Sequence, residues 1–252
     1  MKKIYLAALT LAMTACVSND DLNPVDNYGY IDVNVSNDPV MVTRAVQNVG
    51  DISSWTITTQ KGTNTSETWS SEKAYEAGNY TVVAQNYVDE TAWKGANDNY
   101  GAAFYQGNDV VEVKAGETAP AEIKCGTAKN AKLTVNIADM PTAFSDVTLT
   151  AVRDNSTGLT FTKENNKEAF FGASETVTYS LSYKYNSTNK AIENQSITMG
   201  GAATNNVITI SANDNGLISV TITYDDSFTQ GNSSTLKFDA ATGEKVTTPS
   251  QG

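Results

Sequence analysis

Val177-Thr178-Tyr179-Ser180-Leu181-Ser182-Tyr183-Lys184-Tyr185 is the longest strictly alternating stretch in the chain. Val177, Tyr179, Leu181, Tyr183 and Tyr185 share one side, while Thr178, Ser180, Ser182 and Lys184 share the other. A period of two belongs to a strand with one buried and one wetted face. A helix would scatter the same residues around its axis. The β-branched and aromatic content suits a pleated surface.

The pattern continues in both directions. Lys132 to Ala138 alternates through Leu133, Val135 and Ile137, and Asp146 to Val152 through Val147, Leu149 and Ala151. Upstream, Tyr28 to Val35 places Ile31, Val33 and Val35 together; Ser54 to Gln60, Asn79 to Val88 and Asp109 to Lys114 behave alike. Downstream, Val207 to Ala212 and Leu217 to Tyr224 flank Asn213-Asp214-Asn215-Gly216, whose residues tolerate the positive φ of a hairpin turn. No segment shows a helical stripe. Strand-like runs separated by Gly, Asn, Asp and Ser predict sandwiches, not a parallel sheet with crossover helices. Cys125-Gly126-Thr127-Ala128-Lys129-Asn130 divides the chain into halves of similar length. The expected fold is all-β: two tandem β-sandwiches over 28–127 and 128–230, then a polar tail over 231–252 with one more strand at Thr235 to Asp239.

The N-terminus predicts the compartment. Met1-Lys2-Lys3 is a positive start, Ile4 to Met13 an apolar run too short to span a bilayer, and Thr14-Ala15 precede Cys16. Residues 1–15 read as a secretory signal peptide, and Met13-Thr14-Ala15-Cys16 resembles a bacterial lipobox. Acylation of Cys16 would anchor the chain to a membrane without crossing it, each buried methylene contributing about 0.8 kcal/mol. Residues 16–27 form a polar tether containing Pro24. Within it, Asp20-Asp21 resembles the surface-export signal of Bacteroidetes lipoproteins. Loss of Lys2 and Lys3 with the leader would take the net charge from −11 to about −13. A surface so acidic, with Arg44 and Arg153 its only arginines, repels phosphate backbones, so nucleic acid is excluded as a partner.

The chemistry available is narrow. There is no histidine, which removes the commonest general base, the usual hydrolase triads and His-ligated metals. With Cys16 acylated, Cys125 stands alone and reads as a small core residue. Paired carboxylates could run a glycosidase, yet Asp225, Asp226, Glu117, Glu164 and Glu168 scatter through turns and strand ends. The Asn213–Gly216 turn faintly resembles a calcium loop, but Ile222 stands where the chelating Glu belongs. No enzyme, cofactor or metal site is expected. Trp69 and Trp93 lie in turn-rich segments and are candidates for an aromatic ligand platform, with core packing as the competing use.

Several short motifs together resemble a family of Bacteroidetes surface lipoproteins described as cell-adhesion or fimbrillin-like. They are Gly29-Tyr30-Ile31-Asp32-Val33-Asn34-Val35, Val42-Thr43-Arg44-Ala45 and Glu76-Ala77-Gly78-Asn79-Tyr80-Thr81-Val82-Val83-Ala84. Ala103-Phe104-Tyr105-Gln106-Gly107, Val113 to Thr118, Ile123-Lys124-Cys125, Gly158 to Phe161 and Glu168 to Phe171 continue the match, which spans about 28–212. The resemblance implies tandem sandwiches, transthyretin-like or Ig-like, at the outer membrane, with no catalytic residues. It also implies partners among fimbrial subunits or host ligands, and a proteolytic cut after Arg44 that opens a groove for a donor strand. The alternative function is glycan capture by an anchored surface lipoprotein.

Overall fold

A computed structural model describes residues 27–36, 54–89, 91–153, 158–225 and 233–246 of the 252-residue chain. The alternating stretches become strands. In the first half these are β1 (Tyr28–Ser36), β2 (Thr56–Lys61), β3 (Glu67–Thr68), β4 (Tyr75–Glu76), β5 (Gly78–Gln85), β6 (Gln106–Val113) and β7 (Thr118–Lys124). In the second they are β8 (Asn130–Ile137), β9 (Phe144–Val152), β10 (Leu159–Phe161), β11 (Ala169–Gly172), β12 (Thr176–Tyr185), β13 (Thr188–Thr198), β14 (Asn205–Ala212), β15 (Leu217–Asp225) and β16 (Ser233–Asp239).

The strands form four sheets, ordered β4-β1-β7, β3-β2-β5-β6, β11-β8-β14-β15-β16 and β10-β9-β12-β13. The second half repeats the first: adding seven to each label of the first two sheets gives the order of the other two, extended by the β15–β16 hairpin. Each half opens with a strand lying parallel to its seventh, β1 beside β7 and β8 beside β14. All other strand pairs are antiparallel.

Burial follows the alternation. Val177, Tyr179, Leu181 and Tyr183 of β12 meet Leu133, Val135, Ile208, Ile210 and Phe238 in the second core, and Ile31, Tyr80, Val82, Val113 and Ile123 make the first. At about 25 cal/mol per Å² of apolar surface removed from water, such layers stabilise the chain without disulfides. The tail strand is more integral than its sequence implies: β16 pairs with β15 over seven residues, so the sheet runs past 230 to Asp239. At the Asn213–Gly216 turn, the Asn213 carboxamide oxygen accepts from the Asn215 and Leu217 N–H groups while Gly216 takes φ 78°.

Candidate functional site

Two strand edges and one junction stand out. Along β1, Tyr30 N–H donates to Glu117 O and Ser36 O accepts from Cys125 N–H, so even-numbered residues turn their backbone groups toward β7. Odd-numbered residues face away: Ile31 O accepts the Trp69 indole N–H at 3.0 Å. β4 covers that side only at Tyr28 and Gly29, leaving the N–H and C=O groups of Val33 and Val35 without a strand among the described residues. β8 repeats this. Lys132 N–H and Ala138 N–H donate to Thr204 O and Ile210 O beside β14, and β11 covers the other side only from Asn130 to Leu133. Val135 and Ile137 are left as Val33 and Val35 are.

The β8 edge opens onto a cleft of about 410 Å³ lined by Ile137, Met140, Phe144, Val147, Thr162 and Lys163. It exists because β10 covers β9 only from Leu149 to Ala151, so both sheets are half-covered at the same end. The signal for these edges lies in the sequence as an internal echo, Ile31-Asp32-Val33-Asn34-Val35 against Leu133-Thr134-Val135-Asn136-Ile137. Alternation alone assigns both to strands but says nothing of which edges are covered.

The junction is built around Arg153, which follows β9 and is 4% exposed. Its guanidinium donates to the carbonyls of Lys94 and Asn99 at 3.1 Å each, to Tyr100 O at 3.1 Å and to Phe170 O. It also lies 5.3 Å from the Trp93 ring centroid and 5.0 Å from that of Phe171. The loop that supplies the carbonyls turns through left-handed Asn97, Asp98, Asn99 and Gly101. At Gly101, φ 83°, an added Cβ would stand 3.2 Å from the guanidinium and from Trp93, so glycine is required twice over. Tyr100 then enters the second core, donates to Thr160 O and packs edge-on to Phe161 at 5.5 Å. Across the same junction Asn130 accepts from Phe104 N–H and donates to Ala102 O.

Trp93, expected near the surface, is therefore 3% exposed and offers no ring face to a sugar. Trp69 is half-buried against the first core, its indole N–H held by Ile31 O. The two rings belong to different packing groups. Cys16, Asp20, Asp21 and Arg44 lie outside the described residues, as does Asp226.

Cys125 is buried, and burial pushes its thiol up to about 11, so it stays protonated. Glu168 pairs with Lys132 at 2.6 Å, Glu164 rims the cleft and Glu117 is exposed. Two carboxylates among the described residues, Asp89 and Asp139, have pKa values held low. Asp89 accepts from Thr91 and Ala92, and Asp139 from Lys163. Neither is suited to hold a proton as a general acid. No group of three or more Cys, Asp or Glu residues placed to hold a metal ion occurs among the described residues.

A family model described as a domain of unknown function (DUF4493) matches residues 28–239. No curated protein matches the chain. Solved structures with similarity include a candidate cell adhesion protein of Bacteroides eggerthii DSM 20697, 8% identical, covering 63% of this chain and 78% of that one at TM-score 0.38. A second candidate cell adhesion protein, from Bacteroides ovatus ATCC 8483, is 11% identical with 79% and 96% covered at TM-score 0.36. A fimbrial protein of the same strain is 12% identical with 77% and 52% covered at TM-score 0.32. Superposition at this level transfers neither activity nor ligand.

Proposed function

Because the chain belongs to the DUF4493 family, whose description carries no activity, we propose from its own architecture that it is a non-catalytic surface lipoprotein with an adhesion or fimbria-like assembly role. The observation behind this reading is the backbone edge on the first strand of each sandwich that no strand among the described residues covers. A strand with unpaired N–H and C=O groups recruits another polypeptide by β-addition. The buried, protonated Cys125 and the hydrogen-bonded, depressed carboxylates support the non-catalytic half of the reading. In this account Cys16 carries the lipid, Asp20-Asp21 directs the chain to the outer face of the outer membrane, and cleavage after Arg44 would release β1 together with the anchor.

Fatty-acid labelling of the wild type and Cys16→Ala tests the anchor, and protease shaving of intact cells tests exposure. Label lost in Cys16→Ala and degradation on intact cells are expected. Adhesion is then scored as attachment of deletion and complemented strains to host cells and to abiotic surfaces. Equal attachment by both strains would sink the adhesive role, and resistance to shaving would sink the surface location. Intact-mass measurement of the N-terminus decides processing, since a chain beginning only at acylated Cys16 rejects the cut at Arg44.

A further inference from the structure

The edges of β1 and β8 that no strand among the described residues covers match in length, spacing and polarity of their faces. Each offers the backbone groups of two residues spaced by two, Val33 with Val35 and Val135 with Ile137. Antiparallel pairing of Val33 with Ile137 and Val35 with Val135 would close about four N–H···O=C bonds, since each hydrogen-bonded pair exchanges two. In that register valine faces isoleucine and valine, while Asn34 faces Asn136 on the wet side, where both are exposed. A slip by one residue would put both valines in water, which fixes the alignment.

The cleft decides which edges meet. A strand added beside β8 where β11 stops directs its inward side chains between the two sheets, into the space lined by Ile137, Met140, Phe144 and Val147. Val33 and Val35, only half-buried in their own sandwich, are of the size and polarity to fill it. Pairing β1 with β1 leaves that cleft empty, and pairing β8 with β8 leaves both β1 edges uncovered while its inward Val135 is already fully buried in its own core. The opposite wall is a poor acceptor, because β9 is kinked by a bulge at Asp146 (φ 54°), whose carboxylate binds Lys184 at 2.7 Å.

The other edges of the second sandwich among the described residues are blunted. β13 carries a bulge with Asn194 at φ 55°, beside which Glu193 is exposed. Thr160 O on β10 already accepts from Tyr100 and Asn165, and Phe170 N–H on β11 donates to Tyr100 O. β16 is shielded by Val246, whose N–H donates to Lys237 O.

We infer that the chain uncut at Arg44, which keeps β1, associates with a second copy of itself head to tail, the β1 edge of one pairing antiparallel with the β8 edge of the next. Such a contact is heterologous, so each copy keeps one free edge of each kind and the assembly can grow. This goes beyond a surface role: a chain could adhere without self-assembly, and the measurements for the two are separate.

Disulfide trapping in the full chain tests it, with the wild type oxidised in parallel. Asn34 and Asn136 would form a non-hydrogen-bonded pair, with Cα atoms about 4.5 Å apart, within reach of a disulfide. A mixture of Asn34→Cys and Asn136→Cys is expected to give a crosslinked dimer at least tenfold more abundant than either variant alone. The double variant should give a ladder. Dimer from Asn34→Cys alone would mean β1–β1 pairing, from Asn136→Cys alone β8–β8 pairing, and either overturns the inference. So does no crosslink at all. Ile137→Pro and Val35→Pro each remove an N–H that points away from the neighbouring parallel strand. Folded by circular dichroism, each should abolish the mixed crosslink. Persistence in a folded variant would overturn the contact.

Discussion

Arg153 is the residue on which the two halves depend most. A guanidinium is planar and always charged, and here it serves four carbonyls from two segments while lying against two aromatic rings. Removing it would leave buried C=O groups at Lys94, Asn99, Tyr100 and Phe170 without that donor, besides a cavity beside Trp93. Arg153→Ala is therefore expected to lower the unfolding free energy by about 3 kcal/mol or more in urea titration. Arg153→Lys should recover only part of this, because an ammonium is a point charge that cannot lie flat between rings. A loss below about 1 kcal/mol for the alanine variant would show that water replaces the guanidinium cheaply. Sequence alone gives no hint of this role: an arginine past a strand end reads as solvated, and its acceptors are backbone atoms with no residue signature. Trp93 misleads for the same reason, since a turn-rich setting signals exposure only when no neighbouring sandwich covers it.

Elements were legible wherever period two was unbroken. β12 and β8 are read correctly from Val177-Tyr179-Leu181-Tyr183 and Leu133-Val135-Ile137. β13 is not, because its bulge shifts the inward side from Ile197 to Ile192, an odd spacing that breaks the pattern. The parallel pairing of β1 with β7 and β8 with β14 was equally hidden, since alternation carries no information about strand direction. The β12–β13 hairpin offers a clean test of turn chemistry. Its two-residue loop, Asn186-Ser187, has φ 47° and 64°, the primed geometry that suits right-twisted strands. Asn tolerates that region but Ser, with a Cβ and no equivalent local bond, is strained there. Ser187→Gly should raise stability by about 0.5–1 kcal/mol, the relief of strain being offset partly by a more flexible unfolded chain. Thermal unfolding of the single variant is the measurement. A fall would mean that the Ser187 side chain contributes more than the strain removes.

At the scale of the whole molecule, charge and burial set a pH profile. No side chain has an ordinary pKa between about 5 and 8, since there is no histidine, so stability should be level across that range. On the acid side Asp89 and Asp139 are depressed by hydrogen bonds, and their contribution is lost as pH falls below the carboxylate range. Both are exposed, so this effect is small. The alkaline side differs, because each sandwich buries one strongly displaced acid: Cys125 in the first core, pushed up to about 11, and Tyr179 in the second, pushed up to about 12. Loss of water around the charged form causes both shifts. A folded pKa above the unfolded value favours the neutral form in the fold. The stability it brings is thus complete below the unfolded pKa, about 8.5 for a thiol and 10 for a phenol, and is lost as pH rises through the folded values. Melting temperature should stay flat to about pH 8 and then decline, with Cys125→Ala delaying the decline through the first sandwich and Tyr179→Phe through the second. Whether the delays appear in one transition or two reports on the junction. With Tyr100 inserted in the second core and Arg153 holding the loop behind it, the sandwiches should melt together, so either substitution moves the whole curve. An alkaline melt that splits, with Cys125→Ala shifting only one step, would mean that the two cores unfold independently despite the clasp between them.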